Sequence, residues 1–249
     1  MFTGDERERV RGRLLELARA DVSVAAAAIT GSHVARMEDE WSDIDLALAI
    51  RGEILPALEH WTELLHREFG ALHHWDLPLA SSVYRVFLLP GCLEVDIAFT
   101  PAADFGPRGP NWQIVFGESA DPGPAIGPRR NDLIGIAWHH VLHARACIER
   151  GKPWQGEYLI SGVRDQVLAL ACLRLGHTAT YAKGADLLPS ELTSTLQATL
   201  VRSLDDAELR RALSAVTNEL ATELDRTDPA LAARLGPTLA ELSGAPASG

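Results

Sequence analysis

Asp43 and Asp45 stand two residues apart at the head of an apolar run, Leu46 to Ile50. Side chains alternate across a strand, so both carboxylates share one face, with α-carbons roughly 6.6 Å apart and Ile44 pointing the other way. Two like charges about 4 Å apart repel by about 4 kcal/mol at an effective dielectric near 20. Such a pair either holds a proton or gathers a cation between its members. Mg²⁺ suits it, because that ion takes a few carboxylate oxygens together with phosphate oxygens and water. Asp96, between Val95 and Ile97 in LEVDIAFT, is a third acid in an otherwise apolar strand. Beside the first two in one sheet it completes a cluster that can hold divalent ions, polarise an attacking hydroxyl and neutralise a leaving pyrophosphate.

Gly31 and Ser32 supply the other half of this chemistry. A Gly-Ser turn after a strand brings backbone N–H groups and a hydroxyl toward phosphate oxygens. Two residues carry little information alone; the spacing carries more: Gly31-Ser32, ten residues, then Asp43-Ile44-Asp45, and later Asp96.

A second group lies in GKPWQGEYLISGVRDQVLALACLRLG. Glu157 and Arg164 are seven apart, two turns of helix, with Ser161 between them on the same face. Glu157 could accept a hydroxyl proton, and the forked guanidinium of Arg164 suits paired phosphate oxygens. Lys183, in a glycine-containing loop after that helix, could reach a terminal phosphate. A simple solvated stripe is the competing reading for these residues. Asp96 likewise has a competing reading, as an acid paired to Arg85 across a hairpin. His139, His140 and His143 have helical spacing, but no further ligand is spaced to close a zinc site. Trp75, Trp112 and Trp154 offer flat faces to a sugar or drug ring.

The elements that must position these groups follow from periodicity. Residues 5–20 read as a helix, VSVAAAAITGS as a strand, 33–38 as a short helix and SDIDLALAI as a second strand. ILPALEHWTELLHREFG reads as a helix stopped by Gly70. SSVYRVFLL and LEVDIAFT make a hairpin across Pro90-Gly91, preceded by His73-His74-Trp75 as a loop. A proline- and glycine-rich connector over 101–130 holds one strand-like island at Trp112 to Phe116. Helices are expected over 131–150, 155–175, 190–202, 205–226 and 229–242, with Asp228 capping Pro229 and a frayed GAPASG end. The class is α+β: a catalytic sheet domain over 1–120 and a helical bundle over 121–249, with a substrate cleft expected between them.

The net charge of −11 over 249 residues argues against a surface that holds duplex nucleic acid by its phosphates, and it favours a cationic small molecule. Cys92, Cys147 and Cys172 read as small buried hydrophobes of a reducing compartment. No stretch suits a signal peptide or a membrane span, so a cytoplasmic location is expected. The oligomeric state is not legible.

The run GSHVARMEDEWSDIDLAL resembles the signature of the polymerase-β-like nucleotidyltransferase superfamily, in which GS, about ten residues and DxD recur. The helical half more loosely resembles the C-terminal bundle of aminoglycoside and lincosamide nucleotidyltransferases. That resemblance implies transfer of a nucleoside monophosphate from ATP or another NTP to a drug hydroxyl, with release of pyrophosphate. It implies that Gly31 and Ser32 hold the triphosphate, that Asp43 and Asp45 bind Mg²⁺, and that Asp96 is the third ligand or the base. Glu157 competes for the role of base, since cations beside Asp96 lower its basicity. Family members often carry Arg-Gly after the turn, where this chain has Arg36-Met37, and the acidic run Glu38 to Glu40 is expected to face solvent. Two other readings stand beside the enzyme: an antitoxin-like regulator acting on a protein partner, and a catalytically silent nucleotide-binding relative.

Overall fold

A capping box starts the first helix, α1 (Gly4–Ala20): Glu6 N–H donates to the Thr3 hydroxyl at 3.2 Å, and Thr3 N–H donates to the Glu6 carboxylate at 2.7 Å. The computed structural model describes residues 1–121 and 127–244. The chain divides into two compact units, Met1–Ala125 and Ile126–Gly249.

In the first unit α1 is followed by β1 (Val24–Thr30), α2 (Gly31–Val34), β2 (Ile44–Ile50), α3 (Ile54–Phe69), β3 (His73–Leu79), β4 (Ser82–Leu89), β5 (Leu93–Pro101) and β6 (Trp112–Phe116). These six strands form one sheet in the order β3-β4-β5-β2-β1-β6. β2 and β5 run parallel in register, with Asp45 opposite Asp96, while the other neighbours are antiparallel.

Alternation sorts the two faces. Ile44, Leu46, Leu48 and Ile50 of β2, with Val95, Ile97 and Phe99 of β5, pack on Leu14 and Ala18 of α1 and Leu58, Trp61 and Leu65 of α3. The opposite face carries small residues, Ala26, Ala28, Ala47, Ala49 and Ala98, under Phe105. Asp45 and Asp96 belong to this second face by strand parity. Alanines leave room above the sheet where the large aliphatic residues of the first face fill it.

The second unit is helical: α4 (Arg130–Glu149), α5 (Pro153–Leu175), α6 (Ser190–Gln197), α7 (Asp206–Thr227) and α8 (Pro229–Ser243). Val141, Ala144, Ile160, Val163, Leu213, Val216 and Leu220 lie at the centre of its core. Asp228 caps α8 as expected, its carboxylate accepting the Leu231 N–H at 2.9 Å. Among the described residues no helix is long and apolar enough to cross a membrane.

Four sequence expectations need correction. The stretch at His73-His74-Trp75 is not a loop but the start of β3, an edge strand paired to β4 and mostly exposed on both faces. The helix expected over 33–38 is displaced to Gly31–Val34, since Arg36 takes a left-handed conformation (φ 54) and the chain turns away. α6 stops at Gln197, short of 202, because Arg211 of α7 donates to the carbonyls of Ala198 and Leu200 that a longer helix would pair internally. Cys92 is exposed in the turn between β4 and β5 at φ 66, whereas Cys147 and Cys172 are buried. The fraying expected at the C-terminal end concerns residues that, beyond Gly244, lie outside those described.

Candidate functional site

β1 delivers the Gly31-Ser32 turn, and its antiparallel neighbour β2 returns with Asp45 beside it. Gly31 adopts φ +72, a conformation that side chains disfavour, and a Cβ there would overlap the Asp45 carboxylate. Turn and acid are thus in direct van der Waals contact. One carboxylate oxygen from each of Asp43, Asp45 and Asp96 lies within 4.8 Å of the other two, and all three residues are half-buried. The structure therefore brings together the three acids and the turn that the sequence separates by up to 65 positions.

The competing role for Asp96, pairing with Arg85, does not survive the register. Arg85 stands opposite Ile97 on the helix-covered face, where it holds Asp76 in a two-pronged pair at 2.6 and 2.7 Å and reaches Leu58 and Thr62 of α3. Asp96 is on the other face.

The donor set suits a hard cation: three carboxylates with clustered oxygens on an alanine-lined face, with no sulfur or imidazole in the group. Glu8, His33 and Glu38 form a second cluster whose ligand atoms lie equally close together. There the cation is the protein's own. Arg11, only 2% exposed, donates to Glu8 at 2.5 Å, to Glu38, and lies 2.6 Å from His33 Nδ1. Arg7, 6% exposed, donates to the carbonyls of Asp39 at 2.5 Å and Ser42 at 3.0 Å.

Helix α1 thereby grips the whole segment between Gly31-Ser32 and Asp43. Glu38 does not face solvent as expected, because two buried guanidinium groups demand a carboxylate; Asp39 and Glu40 do. Burial pushes the Glu38 carboxyl up, but hydrogen bonds from His33 and Arg11 and the Arg11 charge outweigh it and leave it below its ordinary 4.5. A lowered folded value means the carboxylate stabilises the fold above pH 4.5, and that contribution fades as the pH falls through the folded value. Glu38→Gln should therefore lose about 1–3 kcal/mol at neutral pH. In urea melts its deficit against the parent should shrink steadily below pH 4.5.

In the helical unit the stripe on α5 is a connected chain. Arg164 donates to the Ser161 hydroxyl at 2.9 Å, and that hydroxyl donates to Glu157 at 2.7 Å. Lys183 stands apart from this stripe, exposed in the loop after α5. The rings of His139 and His143 are 4.3 Å apart, and among the described residues neither belongs to a group of three metal-ligating side chains.

Trp112, expected to face a ring, lines a cavity of about 170 Å³ on the alanine face whose other walls, Tyr84, Asp104 and Arg108 over Ala47 and Ala98, sequence reasoning missed. Strand parity was the available signal: Tyr84 pairs with Ala98, two residues along the strand from Asp96. Arg108 and Asp104 lie in the connector, where no periodicity marks them.

No family model matches the chain, and no curated protein matches it by sequence. Two solved structures are similar to it along most of its length. An aminoglycoside 6-adenyltransferase from Bacillus subtilis is 10% identical, with 97% of this chain and 99% of that one covered at a TM-score of 0.40. A nucleotidyltransferase-like protein from Exiguobacterium sibiricum is 12% identical, with 90% of this chain and 78% of that one covered at a TM-score of 0.41.

Proposed function

We propose that this chain is a Mg²⁺-dependent nucleotidyltransferase that moves a nucleoside monophosphate, with ATP the favoured donor, onto a hydroxyl of a small molecule. The observation that carries the reading is the meeting of Asp43, Asp45 and Asp96 within 4.8 Å, with Gly31 packed against Asp45. Those three acids are the residues that would hold the metal. Bound there, Mg²⁺ would offset the triphosphate charge and acidify the attacking hydroxyl.

The chain's own groups do the rest. Backbone N–H groups and the Ser32 hydroxyl in the turn would hold phosphate oxygens, and Arg164 and Lys183 are the candidate cations for the pyrophosphate charge. The acceptor oxygen bonds to the α-phosphorus, the bond from that phosphorus to the bridging oxygen breaks, and pyrophosphate leaves with the electron pair. The hydroxyl proton goes to a carboxylate base, for which Glu157 is the candidate where Asp96 would hold the metal. The favoured acceptor is an aminoglycoside-type antibiotic, because a net charge of −11 draws a polycation and such a transfer would confer resistance.

The test is pyrophosphate release from labelled ATP, with and without Mg²⁺, across a panel of hydroxylated drugs. Release that requires both metal and acceptor is expected. Bound nucleotide without turnover on any acceptor would instead leave a silent nucleotide-binding protein.

A further inference from the structure

The cavity on the alanine face begins one side-chain repeat beyond the acids: Ala47 follows Asp45 by two residues on β2, and Ala98 follows Asp96 by two on β5. Its volume of about 170 Å³ fits one ring system and not a whole nucleotide, given that a dry cavity of ~150 Å³ accepts a benzene ring. The aromatic side chains of Trp112 and Tyr84 line it. The indole is held in place, with Phe105 packed against it at a 5.0 Å centroid distance and an interplanar angle of 61°.

Three features separate the candidate occupants. Thr30 lines the cavity, pairs with Trp112 across β1 and β6, and immediately precedes the Gly31-Ser32 turn. A ligand whose phosphates sit at that turn is therefore within reach of the cavity. Asp104 and Arg108 balance one another, so the cavity offers a polycationic acceptor no net charge of its own. A carboxylate, a guanidinium and the Asn111 amide together present donors and acceptors of the kind the edge of a heteroaromatic base requires.

We propose that this cavity seats the base of the donor nucleotide, stacked on Trp112, and that Asp104 selects bases carrying an exocyclic amine. Adenine and cytosine donate such an N–H to a carboxylate, whereas uracil turns a carbonyl toward it. The inference rests on the nucleotidyl-transfer reading above and adds base selection to it.

Equilibrium binding of Mg²⁺-ATP, Mg²⁺-UTP and Mg²⁺-tripolyphosphate to the full chain, followed by calorimetry, tests it. ATP should bind more tightly than UTP. Asp104→Asn should cut the ATP-over-UTP ratio by about tenfold, the effect of one hydrogen bond to a charged group. Trp112→Ala should weaken both nucleotides about tenfold by loss of stacking. Tripolyphosphate, which has no base, should bind the parent and both variants within twofold. If Trp112→Ala fails to fold in a melt, Trp112→Phe should keep most of the affinity and Trp112→Leu should lose it. Unchanged nucleotide ratios, or NTPs binding no more tightly than tripolyphosphate, would overturn the base site while leaving phosphate and metal binding intact. So would variants that raise the acceptor KM and spare the ATP KM. If neither ATP nor tripolyphosphate binds the parent protein, the nucleotidyl-transfer reading itself fails.

Discussion

Asp45→Asn should lower Mg²⁺-dependent pyrophosphate release about a thousandfold and leave the protein at least as stable as its parent. The substitution keeps size and one acceptor oxygen but removes the charge. Its position singles it out among the acids, since it lies opposite Asp96 in the parallel β2–β5 register and against Gly31 in the turn. Loss of one carboxylate from a metal cluster removes several kcal/mol of charge stabilisation, and about 4 kcal/mol is a factor of 10³ in rate. Stability moves the other way. Carboxylate oxygens within 4.8 Å of one another repel when ionised with no cation between them, and the substitution removes one of the three acids that share this crowding. A thermal melt should show Mg²⁺ raising the parent's midpoint and barely moving the variant's, because only a state with an intact cluster binds the ion more tightly than the unfolded chain does. Full-rate turnover by Asp45→Asn would remove the metal role from this cluster.

The parts of this site that could be read in advance are those with strong local period. SDIDLALAI announces its own faces, because Asp45, Ala47 and Ala49 alternate with Ile44, Leu46, Leu48 and Ile50. The helix over Ile54–Phe69 was legible for the same reason, down to its stop at Gly70, which takes φ 67. The failures share a cause, which is that their determinants are non-local. β3 is exposed at most positions and contains Pro78, so nothing in it alternates; only its pairing with β4 makes it a strand. Arg7 and Arg11 stand in the densely charged stretch DERERVRGR, yet both are buried because Glu38, His33 and two carbonyls of the 39–42 segment converge on them. Composition cannot show that two arginines near the start of the chain anchor the segment between the Gly31-Ser32 turn and Asp43. The cavity was hidden similarly: Asp104 and Arg108 come from a connector, and only the fold sets them over Ala47 and Ala98.

The contact between Gly31 and Asp45 yields the second large effect, and a matched control isolates it. Gly31 and Gly52 both have positive φ, +72 and +79, but a Cβ at Gly52 meets nothing within 4 Å, while one at Gly31 meets the Asp45 carboxylate. Alanine at either position should cost about 1–2 kcal/mol of stability from the left-handed backbone alone. Gly52→Ala should stop there and retain the parent's turnover. Gly31→Ala must also push Asp45 out of line with Asp96 or move the turn off the phosphates, and a displacement of about 1 Å at a reacting centre costs on the order of a hundredfold. Pyrophosphate release should therefore fall at least a hundredfold in Gly31→Ala, with urea midpoints for the two variants close together. Equal activity in the pair would mean that the turn does not need its glycine against the acid. The Gly31-Ser32 turn and the three carboxylates would then act independently, however well the carboxylates converge.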